Sequence, residues 1–324
     1  MTRRALVTGG AGFIGSHIVE ALVADGVSVR VLDDFSGGHE ENLAGLAGVE
    51  VVRGDCRVEE DARAAVDGCD AVFHQAALPS VQRSVEAPRV AHGINLDATL
   101  TMLQAAADAG VGRFVFAGSS AAYGDSEELP KRERMAPDTL SPYAAQKLAS
   151  EAYCRSFAAC FGLHTVVLRY FNVYGPRQDP SSPYSGVISL FVTALLDGRA
   201  PRIYGDGEQS RDFVYVGDVA RANLAAATAD VPPGSVINVA GGRRVTVNEL
   251  FATIRREVGG AATELEPTYA PPRTGDVRHS LADVERARRL LGWEARVPLD
   301  EGIALTIPQY RSTPEAQETK EERP

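Results

Sequence analysis

At 324 residues, 44% hydrophobic and 23% charged, the chain has the composition of a soluble globular protein with a sizeable core and about two domains. Its formal charge of −10 excludes nucleic acid and anionic membrane as main partners, so local arginines must do any anion binding. No apolar run approaches the ~18 residues of a membrane span, and Met1-Thr2-Arg3-Arg4 leads straight into the first strand without a signal region; a cytoplasmic protein is expected.

The first predicted strand, Ala5 to Thr8, runs into Gly9-Gly10-Ala11-Gly12-Phe13-Ile14-Gly15-Ser16 and a helix from Ile14 to Ala24. Glycines at 9, 12 and 15 let the backbone turn tightly, approach a ligand and pack the helix on its strand. The free N–H groups at the helix start suit a pyrophosphate. The spacing is Gly-x-x-Gly-x-x-Gly, not Gly-x-Gly-x-x-Gly, and alone it also fits a turn that binds nothing. A second strand, Val27 to Leu32, removes most of that ambiguity by ending in Asp33-Asp34. Asp33 lies eighteen residues after Gly15, near the offset at which a carboxylate accepts both ribose hydroxyls of NAD and repels a 2′-phosphate. NAD, not NADP, is the expected cofactor.

Strand and helix then alternate, as a doubly wound parallel α/β sheet of the Rossmann type requires. Strand three, Val49 to Arg53, ends in Gly54-Asp55, where a carboxylate is placed to accept from an adenine amino group; Cys56 follows. After a helix from Val58 to Val66 comes strand four with Phe73-His74-Gln75-Ala76-Ala77, whose small residues leave room for the cofactor. His74 reads as a packed strand-end residue, not a catalyst. A long helix is predicted around Asn95 to Ala109, then strand five, Arg113 to Ala117, and the loop Gly118-Ser119-Ser120-Ala121-Ala122-Tyr123-Gly124. Ser141 caps a helix running to about Phe161, with Pro142 in its first turn. Tyr143 and Lys147, four apart, share one face of it. An exposed tyrosine over a solvated lysine is a common pair, but with Ser119 and Ser120 and the glycine loop in the same chain they make a proton-transfer set.

On these motifs the chain, from Ala5 to about Tyr310, resembles the extended short-chain dehydrogenase/reductases, the nucleotide-sugar epimerases and dehydratases. Within them it is most similar to the UDP-hexose 4-epimerases. The resemblance implies that Tyr143 is the base, that Lys147 holds the nicotinamide ribose, and that Ser119, with Ser120 beside it, serves the sugar's reacting oxygen. The NAD-lining set it implies is Gly9, Gly12, Phe13, Ile14, Gly15, Asp33, Asp34, Asp55, Cys56, Gln75, Ala76, Ala77, Asn95, Tyr143, Lys147 and Tyr170. A phenol titrates near 10, so a base near neutrality needs a downward shift of about three units, which Lys147 and oxidised nicotinamide are expected to supply.

The second half reads as a smaller C-terminal α/β substrate-binding domain, interleaved with further sheet strands. A strand from His164 to Phe171 continues into Asn172-Val173-Tyr174-Gly175-Pro176-Arg177-Gln178-Asp179-Pro180, too rich in turn formers to be helical, and a helix spans Val187 to Leu196. By the resemblance, the UDP-sugar substrate meets Ser119 and Tyr143 at its reacting end. Asn172, Arg211 and Arg273 lie at the diphosphate, Val187 on the uracil side, Asp276 at the uridine ribose, and Ser280 beside the sugar's C2 substituent. Guanidinium suits phosphate because its fork of donors matches two oxygens. Arg278, Arg286, Arg288 and Arg289 read as solvated surface. The expected division is 1–170 for NAD, 171–311 for UDP-sugar, and a disordered tail at 312–324. The helices near Asp97 to Ala109 and Ser141 to Phe161 resemble the pair that forms a dimer interface in relatives, so a homodimer is expected. Cys56, Cys69, Cys154 and Cys160 lack metal or redox spacing and read as small buried thiols, and no metal is expected.

Reaction type follows from an absence. Dehydratases and decarboxylases of this family carry Asp or Glu where this chain has Ser120 and Ala121, and a methyl group transfers no proton. What remains is a 4-epimerase, with a 4,6-dehydratase or reductase as the enzyme alternative and a non-catalytic NAD-sensing regulator as the other. Relatives acting on UDP-glucuronate place threonine at Asn172 and arginine at Asp179, so UDP-glucose/galactose ranks first, the N-acetylated pair second and UDP-glucuronate third.

Overall fold

The computed structural model of the chain describes residues 2–179, 186–272 and 277–311. The predicted Arg273 and Asp276 and the predicted tail fall outside them. Seven parallel strands form the main sheet: β1 (Arg4–Thr8), β2 (Ser28–Asp33), β3 (Val49–Arg53), β4 (Ala71–His74), β5 (Arg113–Ser119), β6 (Thr165–Tyr170) and, returning late in the chain, β10 (Ser235–Val239). Their order is β10-β6-β5-β4-β1-β2-β3, which reverses between β1 and β4. A cleft opens at the carboxyl ends on either side of such a reversal, so the glycine turn after β1 and the 75–77 segment after β4 face it together.

Helices cover both faces of this sheet, and near-continuous apolar strands result. On one side lie α1 (Phe13–Ala24) and α8 (Val216–Thr228), packed with Val7, Val31, Leu168 and Ile237 in one core. On the other lie α2 (Glu59–Val66), α5 (Ala98–Asp108) and α6 (Pro142–Phe161), with Leu6, Leu32, Phe114 and Phe116. Successive residues of one strand thus enter opposite cores, as the two-residue period dictates.

The expected long helix starts differently. Short helices α3 (Val81–Glu86) and α4 (Pro88–His92) precede it, and Gly93–Asp97 forms one wide π turn before α5. That turn leaves the Asn95 carbonyl to accept from both Thr99 Oγ1 at 2.7 Å and Ser150 Oγ at 3.1 Å. Apolar periodicity does not register such a local widening.

The second half of the chain has its own core. A three-stranded sheet of β11 (Arg244–Thr246), β9 (Ser210–Tyr215) and β7 (Asn172–Tyr174) and a two-stranded one of β8 (Arg202–Tyr204) and β12 (Thr268–Ala270) carry it. Helices α7 (Val187–Leu196), α9 (Val247–Val258) and α11 (Leu299–Arg311) close around Phe191, Ile203, Leu250 and Ile303. Helix α10 (Glu285–Leu291) returns to the main sheet, burying Ala287 and Leu291 in the first core. Cys56, Cys69 and Cys154 are buried, but Cys160 is exposed, because the last turn of α6 turns that position outward. Among the described residues no helix is long and apolar enough to cross a membrane.

One buried ion pair fastens α6 to β6. Arg169 donates from Nε and Nη2 to the two oxygens of Glu151, at 2.9 and 2.8 Å, with both side chains under a tenth exposed. Removing one partner strands the other charge in the interior. Glu151→Ala is therefore expected to lower unfolding free energy by roughly 3–5 kcal/mol in chemical denaturation. Glu59→Ala, which breaks the exposed pair to Arg63, should cost less than about 1 kcal/mol. Equal losses for the two would contradict the assignment.

Candidate active site

The glycine turn is as tight as its spacing requires. Gly9 has φ +66°, and a Cβ there would lie 2.7 Å from the Ala76 backbone nitrogen; one on Gly15 would overlap the Gly9 carbonyl. Gly12 caps α1 with extended backbone and no side-chain bond, so the N–H groups that follow, beginning at Phe13 and Ile14, point toward the cleft with no side chain to satisfy them. Asp33, buried at the end of β2, accepts from Ala11 N and Phe35 N, both at 2.9 Å. Burial pushes its carboxyl above the usual range, and the two N–H bonds oppose that. It anchors the turn and still has lone pairs for ribose hydroxyls, because a carboxylate offers about four acceptor sites. Asp34 beside it holds Ser36. Cradle and carboxylate together fit a dinucleotide such as NAD.

Other predicted cofactor residues are placed with different roles. Asp55 stands at the edge of β3 as expected, but both its oxygens accept from Arg57, which holds its carboxyl below the usual range. The Cys56 thiol is pushed up to about 12 by burial and forms a neutral wall. Asn95 is 1% exposed, accepts from Leu78 N at 2.8 Å and donates to Gln146 Oε1 at 2.9 Å, so it braces the segment after β4. Tyr170 is likewise tied inside, its hydroxyl 2.9 Å from Asn223 Oδ1 and 3.3 Å from Gln75 Oε1. His74 is packed, with Nδ1 2.7 Å from Thr8 Oγ1 and Nε2 3.2 Å from Thr99 Oγ1. Burial drives its pKa down to about 3, so it stays neutral. Thr8 also accepts from Ala76 N at 3.3 Å, linking the ends of β1 and β4.

The proton-transfer set assembles at the carboxyl end of β5. Ser141 Oγ accepts from Ala144 N at 3.2 Å and Pro142 opens α6, so the helix begins where the sequence predicts. Tyr143 N donates to Ser84 Oγ at 3.0 Å, and the Ser119 side chain lies near enough to the Tyr143 phenol to favour its charged form. Ser119 Oγ also accepts from Ala121 N at 3.2 Å, which fixes it at the start of the short turn Ser120–Tyr123. One turn along α6, Lys147 donates from Nζ to the Ala117 carbonyl at 3.0 Å and lies 4.9 Å from the Phe116 ring centroid.

The expected electrostatics need correction. Burial raises the Tyr143 phenol above its ordinary value, and the nearby Ser119 side chain opposes that. Lys147 is itself lowered to about 8 by burial.

On the substrate side, Arg211 on β9 donates to the Ser210 and Arg278 carbonyls at 3.0 and 3.5 Å. Asn172 spends its amide on the Asp212 carbonyl at 3.0 Å, and Val187 opens α7. Ser280 N donates to Ser210 O at 3.0 Å, which sets Ser280 close to the start of β9. Arg278 pairs at the surface with Asp206. Sequence reasoning missed Asp212, fully buried and accepting from Gly242 N at 3.1 Å and Ala282 N at 3.0 Å, which ties both segments beneath Arg211. Burial lifts its carboxyl to about 7. Its only signal in the sequence was the adjacency Arg211-Asp212. Ser84 and Asn223 gave none, since their partners come from distant segments.

Residues 5–240 match the profile of the NAD dependent epimerase/dehydratase family. The chain is 40% identical over 315 residues to the UDP-glucose 4-epimerase of Mycolicibacterium smegmatis, spanning 95% of this chain and 99% of that one. Its structure superposes with TM-score 0.91 on a UDP-N-acetylglucosamine 4-epimerase from Methanobrevibacter ruminantium M1 solved with UDP-N-acetylmuramic acid, 40% identical and covering 96% and 98% of the two chains. With TM-score 0.86 it matches the Thermus thermophilus UDP-glucose 4-epimerase in complex with NAD, 39% identical over 96% and 99% of the chains.

The cradle gives a direct test. In Gly15→Ala the new methyl must displace the Gly9 carbonyl. The purified variant should carry less than a tenth of the wild-type NAD, assayed after acid release, with its circular dichroism unchanged. Wild-type occupancy would refute the cradle.

Proposed function

This chain belongs to the NAD-dependent epimerase/dehydratase family, and on that premise we propose that it is a UDP-hexose 4-epimerase acting on UDP-glucose/UDP-galactose and on their N-acetylated counterparts. The observation that carries this reading is the placement of Ser119 at the mouth of β5 near the Tyr143 phenol, on the helix that also carries Lys147 one turn along, with no carboxylate at 120 or 121. A third acid or base for water loss is missing from those two loop positions, and 4-epimerisation needs none.

The chemistry supplied by bound NAD is reversible hydride transfer at C4 of the sugar. Tyr143 takes the proton of the C4 hydroxyl and returns it after the 4-keto sugar has turned over. Ser119 holds the reacting oxygen and the phenol together. Lys147 binds the nicotinamide ribose, and Asp33 the adenine-side ribose. Because burial raises the phenol, proton removal at neutral pH calls for a positive charge at the cofactor to bring it down. Arg211, with Arg273, binds the diphosphate, and Asp276 the uridine ribose. A homodimer through α5 and α6 is part of the proposal; exposed Tyr153 and Phe161 on α6 support it.

Tyr143→Phe should reduce kcat by about 100- to 10,000-fold, the usual share of a positioned acid/base, while NAD occupancy and UDP binding stay near wild type. Conversion of UDP-glucose read by NMR, without added NADH, decides it; more than a tenth of wild-type turnover in the variant, or release of a dehydrated product by the wild type, would defeat the proposal.

Ser280 bears on substrate width. A serine beside the C2 substituent leaves space for an acetamido group, and a tyrosine there would fill it. Ser280→Tyr is expected to remove activity on UDP-N-acetylglucosamine and spare UDP-glucose, measured as kcat/KM for both. Equal losses would show that Ser280 does not line the sugar pocket.

A further inference from the structure

A second charged cleft opens away from the glycine turn. It comprises adjoining hollows of about 430 and 370 Å³ that share Arg155, Gly234 and Arg286. Four guanidinium groups line it, those of Arg134, Arg155, Arg169 and Arg286, against two carboxylates, Glu133 and Glu151. Glu151 pairs with Arg169 within the lining, and Glu133 Oε1 accepts from the uncharged Asn238 N at 2.9 Å. Arg134, Arg155 and Arg286 have no ion-pair partner among the described residues. Arg286 has its Nε buried with no hydrogen-bond partner, so the surface role expected for it from sequence is only half right. Buried unpaired donors are unfavourable and are usually completed by a ligand or water.

Charge makes the cluster notable. The chain carries a formal −10, yet this concavity is lined by four arginines and two carboxylates, an excess of two positive charges. Gly234, with φ +76° and Arg155 Cα 3.4 Å from where its Cβ would be, keeps the floor of the cleft clear of any side chain. The cleft is also separate from the active site. Tyr143, Lys147, Glu151 and Arg155 follow one another at four-residue intervals along α6, which puts Arg155 about 18 Å from Tyr143 at 1.5 Å per residue.

We propose that this cleft is a second anion site, taking a small soluble oligophosphate in the forks of Arg134, Arg155 and Arg286. Each guanidinium presents paired donors that match phosphate oxygens. Two linked phosphoryl groups carry about three negative charges near neutrality, enough to neutralise the excess of two positive charges where one carboxylate would not.

The experiment is isothermal titration of the NAD-loaded protein with inorganic pyrophosphate at constant ionic strength, in an Arg211→Ala background that removes competing binding at the proposed diphosphate clamp. If Arg211 is not that clamp, the background is harmless to the test. Saturable binding is expected, weakened at least tenfold when Arg155→Ala and Arg286→Ala are added, with the melting temperature unchanged. Arg169 is left in place because Glu151 depends on it. No saturable binding in the Arg211→Ala protein, undiminished binding after loss of Arg155 and Arg286, or the same heats from sodium chloride of matched ionic strength would overturn the site.

Discussion

The buried pairing of Glu151 with Arg169 is the interaction on which the placement of the chemistry depends. A helix lying on a sheet is free to slide or roll by small amounts unless something polar indexes it, because apolar contacts are not directional. Two charge-assisted bonds, from one guanidinium to both oxygens of one carboxylate, index α6 against β6. Ser150 to the Asn95 carbonyl and Gln146 to Asn95 add a second line of registration toward the π turn. Arg169 also lies 4.6 Å from the Tyr123 ring centroid, and Tyr123 in turn bonds Asn238 Oδ1 at 2.6 Å. The turn that starts at Ser119 and the helix that carries Tyr143 are thereby fixed to the same strand.

With geometry set, burial dominates the electrostatics. It pushes the Tyr143 phenol up and the Lys147 ammonium down, so each group is held nearer its neutral form. For Lys147, a fall from 10.5 to about 8 corresponds to roughly 3 kcal/mol against the ammonium. The sign is that of a lowered base: the stability it contributes is complete above 10.5 and is lost as pH falls through 8. At neutral pH the folded state therefore carries this desolvation penalty in full. Positive charge next to Tyr143 would bring its phenol down.

The sequence was informative where function rests on spacing within one segment. Gly9, Gly12 and Gly15, the carboxylate at Asp33, and the Tyr143–Lys147 interval all read directly, because turns and helical faces follow from local order. It was uninformative where a role depends on what arrives from elsewhere in the chain. Asp55 reads as an open acceptor until Arg57 turns back onto it. Asn95 reads as a cofactor contact until Leu78 and Gln146 occupy its amide. Lys147 reads as a charge beside the phenol, yet its ammonium points to the Ala117 carbonyl. Asp212 and Arg286 acquire meaning only from burial, which composition and periodicity do not report residue by residue.

The two halves of the molecule meet through the helix that begins at the glycine turn. His17 Nε2 lies 2.9 Å from the Pro176 carbonyl, and Arg177 Nη2 donates to Glu20 at 2.7 Å, so the segment after β7 rests on the outer side of α1. Arg177 adopts φ +67°, a left-handed conformation that costs a non-glycine residue about 1–2 kcal/mol. The bond from its own N–H to Gln309 on α11, together with the Glu20 pair, offsets that cost and holds the turn. Burial holds the His17 pKa below its ordinary value, against the bond to the Pro176 carbonyl, which raises it. A loop strained into place against α1 transmits any shift of that helix to Asn172 and the substrate sheet. The glycine-turn end and the β7–β9 end are thus joined by one element as well as by the sheet between them, which would hold two ligands in register under the proposed hydride transfer.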